Sequence, residues 1–380
     1  MKIALAHKRL DRRGGTEAIL YRTAEGLRDL GHEVHLFCGK ISIAPPGGVF
    51  AHKVPYWPLG RTARLLSFAY LAPKVIGPYR CDVVVSFGRM VSQDVLRSGG
   101  GSHKVFLERM GPAAGGLKKM WYRLSPYHRS VLALERRQFG NGGFKKVIAI
   151  SERVKGEIVG TYGVRPEKVQ VIYNGVDLER FHPRNRETWR ADVRGRLGVS
   201  ADRAVVLFVG NGFHRKGLDL LLDAWTLPGL RDFILLVVGT DRSMARYVER
   251  VRAAGLADRV LFAGADLQVE KYYAAADLFA MPSFQEAFGN ASLEALASGR
   301  PIVVPRVAGA SEILEGELAD GIIEKPEDRA DLEYRVVRLL DRDRRPRLSA
   351  AARQLAEKYS WQRYFQEFEK HLGEVARPRP

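Results

Sequence analysis

Four side chains in the carboxyl half have types and spacing that could act on a phosphorylated sugar: Arg215, Lys216, Glu286 and Glu294. Arg215 and Lys216 are adjacent in Asn211-Gly-Phe-His-Arg-Lys-Gly217, a glycine-flanked loop just before a helical pattern. There a guanidinium can grip phosphate oxygens as a fork and an ammonium as a point charge. The loop is not a P-loop, which needs Gly-Lys followed by Ser or Thr; here Gly217-Leu218 follows Lys216. Glu286 and Glu294 stand eight residues apart. On one continuous helix that is about 800° of rotation, leaving them roughly 80° apart. Gly289 argues instead for Glu286 in a loop and Glu294 in the first turns of a helix that starts near Asn290 and closes at Gly299. Carboxylates that accept from hydroxyls, beside a helix start whose N–H groups attract anions, suit a nucleotide sugar. A helix cap with a solvated face, and a basic surface turn, are the purely structural alternatives.

The elements that must position these residues alternate along the chain. Buried-strand runs occur at Lys2–Ala6, Glu33–Phe37, Asp82–Ser86, Lys145–Ser151 and Val169–Tyr173, then at Ala204–Gly210, Phe233–Val238, Val260–Phe262, Asp277–Met281 and Pro301–Val304. Helical patterns fill the gaps, which predicts α/β architecture with parallel sheets. His7–Gly15 reads as a loop leading to a helix capped by Thr16 and stopped by Gly31. The loop holds only Gly14-Gly15, so the G-x-G-x-x-G fingerprint of a nicotinamide enzyme is missing, although two glycines still let a backbone approach a diphosphate. Asn174-Gly175 is a turn by its own chemistry. Ser98-Gly-Gly-Gly-Ser-His103 cannot sit inside a strand or helix without cost, and it leaves His103 beyond a strand's carboxyl end.

At 380 residues the chain suits two domains, and 46% hydrophobic content supports sizeable cores. Cys38 and Cys81 cannot build a disulfide framework and read as buried thiols in a reducing compartment. The start of the chain is too short and too soon charged for a signal peptide. No run approaches the roughly 20 apolar residues of a membrane span. The histidines show no metal-ligand spacing, so no metal is expected.

The net charge of +18 is uneven. Residues 1–170 carry 29 Lys and Arg against 12 Asp and Glu, net +17, and the remainder is close to neutral at +1. A bias confined to one half points to an anionic partner there. Between His103 and Lys146, ten basic residues meet two acids, with aromatics interleaved. Lys118, Lys119, Trp121, Tyr122, Arg123 and Arg129 form the heart of this stretch. Basic and aromatic residues at helical spacing bind anionic membrane surfaces, and they can bind nucleic acid. A non-catalytic basic binding protein would explain this half but leaves Glu286, Glu294 and the Arg-Lys loop without a purpose.

Taken together, Gly14-Gly15, Asn174-Gly-Val-Asp177, Gly212-Phe-His-Arg-Lys-Gly217 and Glu286-x7-Glu294 resemble retaining glycosyltransferases of family 4, over nearly the whole chain. Within that family the pattern is similar to the lipopolysaccharide core glucosyltransferase I type. The resemblance implies two Rossmann-like domains with parallel sheets facing a central cleft, the GT-B type. Residues 1–172 would bind the acceptor and face the membrane, 173–358 would bind the donor, and 359–380 would return as a helix to the first domain. The donor would be a nucleotide sugar, UDP-glucose, and the acceptor a lipid-linked saccharide on the cytoplasmic face of the inner membrane; no nucleic acid and no cofactor are expected. Arg215 and Lys216 would hold the donor diphosphate, Glu286 the sugar hydroxyls and Glu294 the ribose. Gly14, Gly15, Ala265, Phe288, Gly289 and Asn290 would complete the donor site through their backbone groups, and His103 would lie near the transferred sugar.

Overall fold

The apolar runs that head the two halves of the chain become central strands of two separate parallel sheets. The computed structural model describes residues 1–11, 15–110, 124–140 and 143–377. The chain divides into one compact unit of residues 1–174 with 361–380, and a second of residues 175–360.

In the first unit, β1 (Lys2–Leu10), β2 (Glu33–Ile41), β3 (Phe50–Lys53), β4 (Val83–Ser86), β5 (Val95–Ser98), β6 (Lys146–Ala149) and β7 (Val169–Val171) lie in the order 3-2-1-4-5-6-7. In the second, β8 (Val205–Val209), β9 (Ile234–Val238), β10 (Val260–Gly264), β11 (Leu278–Ala280), β12 (Ile302–Pro305) and β13 (Ile322–Ile323) lie in the order 10-9-8-11-12-13. Every pairing is parallel. Each sheet therefore reverses its winding beside its first strand, between β1 and β4 and between β8 and β11. In such sheets the crevice outside the strands' carboxyl ends at that reversal is the natural ligand site.

The first strand departs from the sequence expectation. β1 does not give way to a loop at His7 but runs on to Leu10, because the ladder with β2 continues through Arg9↔Lys40 and Leu10↔Ile41. Leu10 is fully buried there, although Lys8 and Arg9 are exposed. The helix Trp361–Gly373 packs on the first unit. Its Tyr364, Phe368 and Leu372 join Leu20, Ala24 and Leu27 of the helix Gly15–Asp29 in one core. A Cβ on Gly26 would stand 2.3 Å from the Phe365 ring, so only glycine permits this crossing. Cys38 and Cys81 are buried and unpaired, and burial pushes the Cys38 thiol up to about 12. Among the described residues no helix is long and apolar enough to cross a membrane.

The amino end of β11 is fixed by Asp277, whose side chain is 2% exposed. Its carboxylate accepts from Arg190 Nη2 at 2.8 Å, from Arg194 Nη2 at 2.7 Å and from the Val205 amide at 2.9 Å. Burial alone would raise this carboxyl, but Arg190, the Val205 amide and Arg194 hold it below the usual range. Removing one member of a buried pair strands the other charge. Asp277→Ala is therefore expected to cost about 3–5 kcal/mol, read as a lower urea midpoint by tryptophan fluorescence. Because the folded pKa is depressed, this stabilisation is present above the ordinary carboxylate value and is lost as pH falls through the folded one. The wild type should lose more stability on acidification than the variant. Equal midpoints at neutral pH would contradict the assignment.

Candidate functional site

In the second unit, the carboxyl end of β8 leads into the Gly210–Gly217 loop and that of β11 into the Pro282–Gly289 loop. These loops flank the reversal of the sheet. Their approach is set by glycine: Gly217 has φ +82°, and a Cβ there would stand 2.0 Å from the Pro282 carbonyl oxygen. The Phe284 amide donates to the Arg215 carbonyl at 3.0 Å and ties the loops together.

This geometry brings Arg215, Lys216 and Glu286 into one cluster. Arg215 Nη1 donates to Glu286 Oε2 at 3.1 Å and to the Gln285 carbonyl at 2.8 Å. Lys216 Nζ donates to the same Oε2 at 3.2 Å and reaches Met281 Sδ at 3.4 Å. The Glu286 side chain is only 16% exposed. Burial pushes its pKa upward, yet Lys216 and then Arg215 outweigh burial and hold it below the usual carboxylate value. The Glu286 backbone is fixed as well: its carbonyl accepts from Gly309 at 3.3 Å, and the Phe288 carbonyl accepts from Ala310 at 2.9 Å.

Glu294 lies in the helix Asn290–Ala297, with Gly289 before it at φ +99°. It is not part of the cation cluster's hydrogen bonds. Its Oε2 lies 3.0 Å from the hydroxyl of Tyr273, a fully buried ring, and the same hydroxyl lies 3.0 Å from the Ala291 carbonyl. One phenolic proton faces two acceptors. Burial raises the Glu294 pKa, so the two glutamates are driven in opposite directions. Phe288 is buried, Asn290 half-buried, and Ala265 exposed just after β10.

The remaining expected site residues lie in the first unit. Gly15 opens the helix Gly15–Asp29. Gly14, Lys118, Lys119, Trp121, Tyr122 and Arg123 fall outside the described residues, and Arg129 is exposed on the helix Pro126–Gly140. His103 begins the helix His103–Met110. Its Nε2 is 2.9 Å from His128 Nδ1, its amide donates to Glu135 Oε2 at 3.0 Å, and its ring stacks on Phe106. Burial, then Arg89 and His128, push its pKa down to about 3, so the ring is neutral near pH 7.

Two functional candidates lie beyond the sequence reading. Tyr273 is marked by nothing in the sequence as a partner of Glu294. His7 sits at the reversal of the first sheet, where its Nδ1 donates to the Phe87 carbonyl at 3.1 Å. It lines a cavity of about 820 Å³ in the first unit. Its one sequence signal is position: a histidine directly after the apolar run of β1.

The family model "Glycosyltransferase Family 4" matches residues 13–180, and "Glycosyl transferases group 1" matches residues 203–342. The chain is 35% identical over 242 residues to a D-inositol 3-phosphate glycosyltransferase of Geodermatophilus obscurus, covering 58% of this chain and 52% of that protein. It thus spans about half the length of the first curated relatives it matches. It is 26% identical to the lipopolysaccharide glucosyltransferase WaaG of Escherichia coli over 316 residues, 82% of each. A crystal structure of WaaG superposes with a TM-score of 0.81 at 25% identity, covering 98% of this chain and 99% of that one. HepE of Anabaena in complex with UDP-glucose shares the fold, with a TM-score of 0.72 at 20% identity over 99% of this chain and 100% of that one.

The cation cluster carries a titration prediction. In the wild type, Glu286 should titrate below the ordinary carboxylate value by side-chain carbon NMR. In Arg215→Ala/Lys216→Ala only burial remains, and the same carboxyl should titrate above it. An unmoved resonance would remove the two cations from its environment.

Proposed function

The chain belongs to the glycosyltransferases, family 4 through its amino half and group 1 through its carboxyl half, and we propose that it is a retaining hexosyltransferase moving glucose from UDP-glucose to a lipid-linked saccharide such as the lipopolysaccharide core. Its two Rossmann-like domains are of the GT-B type. The observation that carries the proposal is the convergence of Arg215, Lys216 and Glu286 at the reversal of the second sheet. The similarity to WaaG along most of both chains supports the choice of acceptor, and HepE's complex supports the choice of donor.

In this reading Arg215 and Lys216 take the charge that builds on the leaving diphosphate, the largest electrostatic demand of the reaction. Glu286, ionised at neutral pH, accepts from sugar hydroxyls. Glu294 accepts from the ribose. The backbone of Phe288, Gly289 and Asn290 lines the approach to the helix start, whose dipole favours the diphosphate. The acceptor hydroxyl attacks the anomeric carbon from the face that the diphosphate leaves, and the departing phosphate oxygen takes its proton. Two cations on the leaving group do the work a divalent metal does elsewhere.

Each charge-assisted contact is worth about 1.5–3 kcal/mol. Arg215→Ala/Lys216→Ala and Glu294→Ala should therefore weaken UDP-glucose binding at least tenfold in calorimetry, with unchanged circular dichroism. Turnover of donor should persist in excess chelator. Unchanged affinity in folded variants, or activity lost to chelator and restored by Mg²⁺ or Mn²⁺, would overturn the respective assignment.

The stretch around Lys118–Arg129 supports a peripheral place on an anionic membrane surface, where each Lys or Arg adds about 1 kcal/mol before screening. In flotation with vesicles of graded anionic content, recovery should rise with anionic lipid and fall with salt. Equal recovery with purely zwitterionic vesicles would contradict this.

A further inference from the structure

The first unit's cavity lies at the reversal between β1 and β4, the counterpart of the cation cluster's position in the second unit. Its walls are strongly cationic. Lys8 and Arg9 come from β1, Lys40 from β2, Lys53 from β3, and Arg61 and Arg64 from the helix Gly60–Ile76. All six are exposed, and among the described residues none of them has a carboxylate partner within ion-pair distance. This is unlike Arg306, Arg338 and Arg344 of the second unit, each of which meets a carboxylate at 2.7 Å or less.

The cavity floor adds two more guanidiniums. Arg89 is paired with Glu135, at 2.6 Å. Arg97 is buried, and among the described residues it is held by neutral groups, Asn174 Oδ1 at 2.5 Å and the Tyr364 hydroxyl at 3.2 Å. Among the described residues that line the cavity, Glu135 is the single acid. His7, 4% exposed, turns its Nε2 toward the Glu17 carboxylate at 3.5 Å, a second acid just behind the cavity wall.

Gathering six unpaired cations around one concavity costs free energy through mutual repulsion. The cost is offset when anionic oxygens enter, and the low-dielectric walls strengthen that attraction. The cations form two groups. Arg9 and Lys40 are register partners at the carboxyl end of the β1–β2 ladder, with Lys53 on the next strand. Arg61 and Arg64 lie one turn apart on a helix. The two groups stand on different elements, strand ends and a helix, so each can serve a phosphate of its own.

We propose that the acceptor bound in this cavity is a polyanionic saccharide carrying at least two phosphate groups, one for the strand-end cations and one for Arg61 and Arg64. The proposal rests on the glycosyltransferase reading and specifies its acceptor.

The test is calorimetry on the full chain with glucose, glucose 6-phosphate, glucuronate and glucose 1,6-bisphosphate as probes, each in the presence of saturating UDP. Affinity should rise at least tenfold from glucose to the monophosphate and again to the bisphosphate, and the gain should shrink with salt. Glucuronate on a par with glucose 6-phosphate would replace phosphate by carboxylate and contradict the phosphate assignment. Arg61→Glu/Arg64→Glu should abolish the second gain while UDP still binds. The same charge change made outside the cavity, Lys74→Glu/Arg80→Glu, should leave both gains intact. Equal affinity for all four probes, or equal losses in both double variants, would overturn the inference while UDP binding stands. A chain that binds no UDP at all would instead overturn the donor reading.

Discussion

One buried carboxylate holds two cations together, and the site in the second unit depends on it. Glu286 accepts from Arg215 and Lys216 at 3.1 and 3.2 Å through a single oxygen. Burying that carboxylate alone would be costly, and burying the two cations without it more so. The trio settles the balance locally and keeps a net positive charge at the loop crossing. It also fixes cations before any ligand arrives, which is what electrostatic stabilisation of a leaving group requires. Everything around it serves that placement. Gly217 lets the first loop lie against Pro282, Gly309 lets the following segment lie against Ala287, and Asp277 fixes the strand from which the second loop springs.

The two units share one plan and use charge differently. Both place their key residues at the reversal of a parallel sheet. The second unit pairs many of its arginines with carboxylates, as in Arg250 with Asp219 and Asp223. Among the described residues, the first leaves six cations around its cavity without carboxylate partners, so part of the +17 of residues 1–170 is gathered into a local field. A donor site needs a few well-held cations for one diphosphate. A cavity for a larger anionic ligand works with a looser, wider set.

The strands were legible because buried parallel strands are continuous apolar runs, and nearly every such run became one. The Arg-Lys loop and the glutamates stood out by residue type and flanking glycines, whereas the contacts of Arg215 and Lys216 with Glu286 are made in space, where the pairing of β8 with β11 joins loops far apart in sequence. The end of β1 was not, since Lys8 and Arg9 look like loop and only the ladder to β2 keeps them in register. The cavity was hidden for the same reason: Lys40 and Lys53 are separated in sequence and brought side by side by parallel pairing, and Arg61 joins them from the helix Gly60–Ile76. His103 drew notice through its glycines, yet its ring is engaged by His128, while His7 stands at the cavity without a flanking motif. Tyr273 could be matched to Glu294 only once the two helices that carry them, Glu270–Ala275 and Asn290–Ala297, were placed in three dimensions.

A crystal structure of the full chain with UDP-glucose tests the central claim most directly. The account predicts diphosphate oxygens within hydrogen-bond distance of the Arg215 guanidinium and the Lys216 ammonium, and the ribose against Glu294. A nucleotide bound with its diphosphate away from both cations would contradict it.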